Sequence, residues 1–171
     1  EHPSDAGKVA GAVSQNIEGA KARFEAALKV LNAHDSVNPE QTAAIGYCFG
    51  GGVILNMAQL GVELDVVGSF HGGLGGVKAG SADNIKGRVA VYNGASDPFV
   101  TAEQIAQFNQ SMEAADVDYH FINYPDTVHS FTNPGATAVG EKFELPLRYD
   151  ALADESSWQH FQLLMREAFT Q

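Results

Sequence analysis

Two rhythms of apolar and polar residues alternate along this chain. Short apolar runs read as strands: Thr42-Ala43-Ala44-Ile45-Gly46-Tyr47, then Leu64 to Phe70, Gly87 to Gly94, and the more alternating, edge-like Asp118 to Tyr124. Between and around them, apolar residues recur every three or four positions, the spacing of one helix face. Val13, Ile17, Ala20, Phe24, Leu28 and Leu31 predict a helix from about Ser14 to Ala33 that buries one stripe, closed by the polar break Asn32 to Pro39. Val53-Ile54-Leu55-Asn56-Met57-Ala58-Gln59-Leu60-Gly61 predicts a helix after the first strand, with Gly61 free to take the left-handed turn beyond its end. Thr101-Ala102-Glu103-Gln104 spells a capping box, and Ile105, Phe108, Met112 and Ala115 follow at helical spacing. Trp158, Phe161, Met165 and Ala168 mark a last helix from about Ser156 to Phe169, with Asp154 or Ser156 as its cap.

Strand and helix in alternation imply a mostly parallel sheet with helices on both faces and right-handed crossovers. In such a sheet the reactive groups gather on the loops at the carboxyl ends of the strands. With 171 residues, 44% of them hydrophobic, the expectation is one domain spanning 1–171. A net charge of −11 argues against a nucleic-acid partner, which needs clustered Lys and Arg to displace counterions. No apolar run approaches the roughly 20 residues that cross a bilayer, so no membrane partner is expected. One cysteine excludes an internal disulfide and fits a reducing, cytoplasmic compartment. The same scarcity, with no histidine pair at ligand spacing, gives no metal site.

That cysteine, Cys48, stands in Gly46-Tyr47-Cys48-Phe49-Gly50, where a strand turns directly into a helix. A sharp turn of this kind crowds the backbone two positions either side of the central residue. Gly46 and Gly50 are therefore expected where a Cβ would clash. The turn projects the sulfur outward at the first turn of a helix, whose free N–H groups favour thiolate over thiol. A thiol nucleophile needs a base, and the base needs a carboxylate to fix its tautomer. The loop after the third strand offers Asp97, in Gly94-Ala95-Ser96-Asp97-Pro98, and the loop after the fourth offers His129. Asp126, in the same loop as His129, is the rival carboxylate, and Asp97 followed by proline also suits a plain turn. His34, His120 and His160 read as structural or exposed. His71, in the Gly-rich turn after the second strand, is a candidate to line the pocket, as are Tyr47, Phe99 and Phe131. The N–H of Phe49, next to the nucleophile, is the expected oxyanion donor.

The motifs Gly46-Tyr47-Cys48-Phe49-Gly50-Gly51, Ser69-Phe70-His71-Gly72-Gly73-Leu74, Gly94-Ala95-Ser96-Asp97-Pro98 and His129-Ser130-Phe131-Thr132-Asn133-Pro134, in this order, resemble the dienelactone hydrolase family. The likeness runs from about Gln41 to Phe169 and includes the approach to the last helix, Tyr149 to Trp158. It implies an α/β-hydrolase-type sheet and a cofactor-free hydrolase with Cys48, Asp97 and His129 as catalytic triad. The implied substrate is a small-molecule ester or lactone, opened through a thioester by a monomer or homodimer. The family's fold has further strands before the nucleophile strand, which would supply a second oxyanion donor; the chain as given shows none before the helix at Ser14. Relatives that open carboxylated dienelactones are expected to carry an arginine shortly after the histidine. Ser130 to Pro134 has none, and Arg148 lies beyond a loop, Gly135 to Leu147, expected to form a lid or rim. The hydrolase class follows from the resemblance; the dienelactone does not. Two other functions share the cysteine elbow: a redox-sensing thiol without catalysis, and an amidotransferase-like domain using His71 as base.

Overall fold

A computed structural model describes residues 3–76 and 82–170. The chain divides into two compact units, Glu1–Glu40 and Gln41–Gln171. The first holds helices α1 (Pro3–Ser14) and α2 (Ile17–Asn32). The run anticipated as one helix from Ser14 starts at Ile17, because the Asn16 side chain accepts the Gly19 N–H and closes the orphan donors of the first turn. The apolar stripe is only half-buried at Ile17, Ala20, Phe24 and Leu28 and exposed at Leu31, so α2 has no buried residue where burial of the stripe was expected.

Among the described residues, the second unit is built on four parallel strands in the order β1 (Ala43–Tyr47), β2 (Val66–Phe70), β3 (Arg88–Gly94) and β4 (Tyr119–Tyr124). Between them run α3 (Phe49–Gln59), a 3-10 turn at Ala82–Asn84 and α4 (Ala102–Ala114); after β4 come α5 (Ala136–Phe143) and α6 (Ala151–Phe169). The register Tyr47↔Phe70 and Phe70↔Tyr92 puts three aromatic residues in one row at the carboxyl ends of β1, β2 and β3. Phe70 stacks on Tyr47 at 4.9 Å and on Tyr92 at 4.6 Å, and the Phe161 ring of α6 meets it edge-on at 5.8 Å. Offset and edge-on pairs of this kind add to the burial of the rings themselves.

Alternation along the strands sorts the two faces. Val66, Phe70, Ala90 and Tyr92 form a buried cluster with Phe131 and the α6 residues Ala153, Phe161 and Leu164. On the opposite face, Phe108 of α4 packs against Tyr119 and Phe121, and Gly51 of α3 lies over Ser69. The aromatic row ends one residue short of Cys48 and His71, so packing of the row sets where both side chains stand.

One helix end matches expectation and another differs. The capping box at Thr101 forms in full, its hydroxyl accepting the Gln104 N–H and the Gln104 amide oxygen accepting the Thr101 N–H. The last helix begins earlier than Ser156, at Ala151, because Asp150 caps it by accepting the N–H groups of Leu152 and Ala153. The stretch from Gly135 to Leu147 contains α5, and Leu147 bridges His129. Among the described residues no helix is long and apolar enough to cross a membrane.

Phe161 is fully buried against Gly68 and Phe70, whereas Leu152 on the same helix is 77% exposed. Phe161→Ala is expected to lower the unfolding free energy by about 3–5 kcal/mol, and Leu152→Ala to leave it within about 0.5 kcal/mol, as read by urea denaturation.

Candidate active site

The turn between β1 and α3 is tight for a steric reason visible at each glycine. A Cβ on Gly46 would run into the Gly50 carbonyl, and one on Gly51 would meet Ser69 Oγ at 2.7 Å and the Gly72 Cα at 2.8 Å. Gly50, expected to be equally crowded, has open space where its Cβ would be; the second close approach falls one residue later, where α3 leans on the β2 loop. Between them Cys48 is held at φ 53°, ψ −123°, a conformation that costs a residue with a side chain on the order of 1–3 kcal/mol. Its N–H donates to Phe70 O at 3.0 Å and to His71 Nδ1 at 3.1 Å, and its side chain is exposed.

Two loops bring side chains toward that sulfur, one to it and one behind it. His129 Nε2 lies 3.1 Å from Cys48 Sγ, and His129 Nδ1 lies 2.7 Å from Asp97 Oδ2. The Asp97 carboxylate is fully buried, and its other oxygen accepts the Phe99 N–H at 2.9 Å. With both oxygens engaged, the carboxylate has one orientation. The rival Asp126 is exposed, and the guanidinium of Arg148 donates to its backbone carbonyl. Arg148 N donates to His129 O at 3.3 Å and Asp150 N to Phe131 O at 3.0 Å, so the residues that follow the Gly135–Leu147 segment secure the histidine loop.

The charges follow from these contacts. The Cys48 thiol is held below its ordinary value, first by its hydrogen bond with His129, against burial, with help from the imidazole's charge and a hydrogen bond from the Phe49 N–H. Burial alone would push His129 down. The hydrogen bonds to Asp97 and Cys48 and the charges of both outweigh it and raise the imidazole to about 9. Both shifts favour one state, thiolate beside imidazolium.

The remaining site candidates are placed as follows. Tyr47 and Phe99 are 42% and 52% exposed at the rim, and the Phe99 ring meets His129 edge-on at 5.1 Å. Phe131 is fully buried in the core cluster beneath the rim. His71 is buried beside the elbow, with its ring 5.1 Å from that of His129. The sequence reading did not single out Thr132, whose hydroxyl lies 2.8 Å from His71 Nε2; nothing in a lone threonine of a loop marks it. His160, half-buried on α6, pairs with the Tyr92 hydroxyl at 2.9 Å, away from these groups. Among the described residues, no group of three or more His, Cys, Asp or Glu is arranged to hold a metal ion.

The model of the dienelactone hydrolase family matches residues 1–169. The uncharacterized protein K02A2.1 of Caenorhabditis elegans is 30% identical over 151 residues, which cover 87% of this chain and 94% of that protein. A solved structure named m3DLH is 35% identical, with a TM-score of 0.86 over 94% of this chain and 65% of its own. A dienelactone hydrolase-like promiscuous phosphotriesterase from metagenomic libraries is 36% identical, with a TM-score of 0.81 over 92% of this chain and 66% of its own. The chain thus spans just under two thirds of the length of these two solved proteins. Its parallel sheet, its strained cysteine elbow and a match over nearly its whole length lead to one conclusion: the chain belongs to the dienelactone hydrolase family.

Proposed function

We propose that the protein hydrolyses a small-molecule ester or lactone, with Cys48 as nucleophile, His129 as acid and base, and Asp97 as the group that orients and charges His129. The reading rests above all on the unbroken chain Sγ–Nε2 at 3.1 Å and Nδ1–carboxylate at 2.7 Å. In the first half-reaction the thiolate attacks the carbonyl carbon and the carbonyl electron pair moves onto oxygen. The Phe49 N–H, which rests on the sulfur, is the donor for that oxyanion. Collapse expels the alkoxide, which takes the proton from His129 Nε2; from a lactone this opens the ring. The neutral imidazole then draws a proton from water as the water attacks the thioester, and the second collapse returns the thiolate. One water is consumed, and an acid and an alcohol are formed.

The same geometry weighs against an amidotransferase-like use of His71. That imidazole turns its Nδ1 to the backbone N–H of Cys48, while His129 faces the sulfur. A redox-sensing thiol would share the lowered thiol pKa but has no need of a buried carboxylate behind the imidazole.

Turnover of p-nitrophenyl acetate and of a simple δ-lactone should fall about 10³-fold or more in Cys48→Ala, His129→Ala and Asp97→Asn, each with unchanged circular dichroism. Wild-type protein mixed with the ester should also gain one acyl group on Cys48 by intact mass. Wild-type protein without turnover or adduct, its Cys48 alkylated at the same rate with and without ester, would favour the sensor.

The pH dependence has a definite sign. A lowered thiol and a raised imidazole populate the ion pair from below the ordinary thiol range up to about 9. Alkylation of Cys48 by iodoacetamide is therefore expected to stay fast at neutral pH and to slow only on acidification, as the thiolate takes up a proton. In His129→Gln the midpoint should move upward toward the ordinary thiol value of about 8.5. An unchanged midpoint would remove His129 from the pair.

A further inference from the structure

His71 is held more firmly than a pocket-lining residue requires. It is a side-chain-bearing residue at φ 40°, it is 3% exposed, and its backbone N–H donates to Tyr92 O at 2.8 Å. Its ring has a partner at each nitrogen. Nδ1 lies 3.1 Å from the Cys48 N–H, a donor only, so Nδ1 must be the unprotonated acceptor; Nε2 therefore carries the hydrogen and donates to Thr132 Oγ1 at 2.8 Å. Phe131 and His129 enclose the ring edge-on, each at 5.1 Å. We propose that His71 is a positioning residue, a strut between the nucleophile turn and the acid–base loop that holds Cys48 Sγ at hydrogen-bonding distance from His129.

The argument is geometric. Cys48 and Thr132 belong to the loops after β1 and β4, which are not neighbours in the sheet. The imidazole crosses the gap between them from the loop after β2. Thr132 is three residues past His129, so the strut grips the same loop that carries the base. It does so only as a neutral ring: a proton on Nδ1 would destroy the acceptor for the Cys48 N–H and set a cation against the His129 imidazolium. The surroundings keep it neutral. Burial, with the His129 charge acting in the same sense and Asp97 partly opposing, lowers His71 to about 4, so at neutral pH it is a fixed tautomer and no competitor for the thiol proton. The Cys48 N–H is bound to Phe70 O and His71 Nδ1, and the Phe49 N–H contacts the sulfur.

The proposal rests on the hydrolase reading above, and two readouts separate their failures. The first needs no substrate: the pH midpoint of Cys48 alkylation by iodoacetamide. The second is kcat and KM for p-nitrophenyl acetate. Thr132→Val removes one end of the strut without touching the elbow, and His71→Asn keeps an acceptor near the Nδ1 position but cannot reach Thr132. Both variants should raise the alkylation midpoint and lower kcat about 10- to 100-fold with KM little changed, the cost of misplacing a nucleophile by a fraction of an ångström. Thr132→Ser, which restores the hydroxyl, should return both to wild-type values. Adding Thr132→Val to His71→Asn should cost nothing more, because both break the same link. A wild-type midpoint in Thr132→Val and His71→Asn, or a change confined to KM, overturns the strut; the latter would make His71 a substrate contact. If wild-type protein shows no turnover, the hydrolase reading fails while the alkylation midpoints still decide the strut.

Discussion

The want of space at Gly46 governs the site more than any single attraction does. β1 runs into α3 with no connecting loop, and the carbonyl of Gly50 comes back over the strand where a side chain at position 46 would stand. A chain that turns this sharply must place the residue between at positive φ, and Cys48 accepts that conformation. The strain is offset by what surrounds it. The aromatic row Tyr47, Phe70 and Tyr92 anchors the strand ends, and the Cys48 N–H has two acceptors. Lifted out of the sheet in this way, the sulfur stands at the start of a helix and within reach of loops from elsewhere in the sheet.

Charge then divides the work among the loops. The Asp97 carboxylate is buried with two hydrogen-bond donors and faces one imidazole, so its charge acts locally although the chain as a whole carries −11. It raises His129, which in turn lowers Cys48. His71, nearer the elbow backbone, moves the opposite way because burial outweighs any pairing. Two imidazoles 5.1 Å apart thus hold different protonation states at neutral pH, and the difference comes from which of them faces a carboxylate.

Where expectation and structure part, the reason is local. Gly51 and not Gly50 makes the second close approach, since the point at which α3 touches the β2 loop depends on how the helix leans and not on the motif. Asp150 caps the last helix in place of Asp154 or Ser156, because the chain from Leu147 is tied to the histidine loop and enters the helix from there. α5 is only 8 residues long, too short a window for its helical spacing to stand out, and Phe131, flanked by loop residues, is drawn under α6 into the core. Thr132 acquires its partner only when two loops distant in sequence meet.

The sequence by itself determined the strands, the cysteine turn and the order in which Cys48, Asp97 and His129 come along the chain. Those are properties of short windows, set by apolar period, by glycine at a crowded position and by which residue follows each strand. Only the tertiary structure decided that Asp97 and not Asp126 faces His129, that His71 turns both nitrogens into the scaffold, and that Arg148 lies against a backbone carbonyl. These depend on which loops the parallel sheet brings side by side, and on burial and distance at that rim, quantities that no spacing along a chain contains.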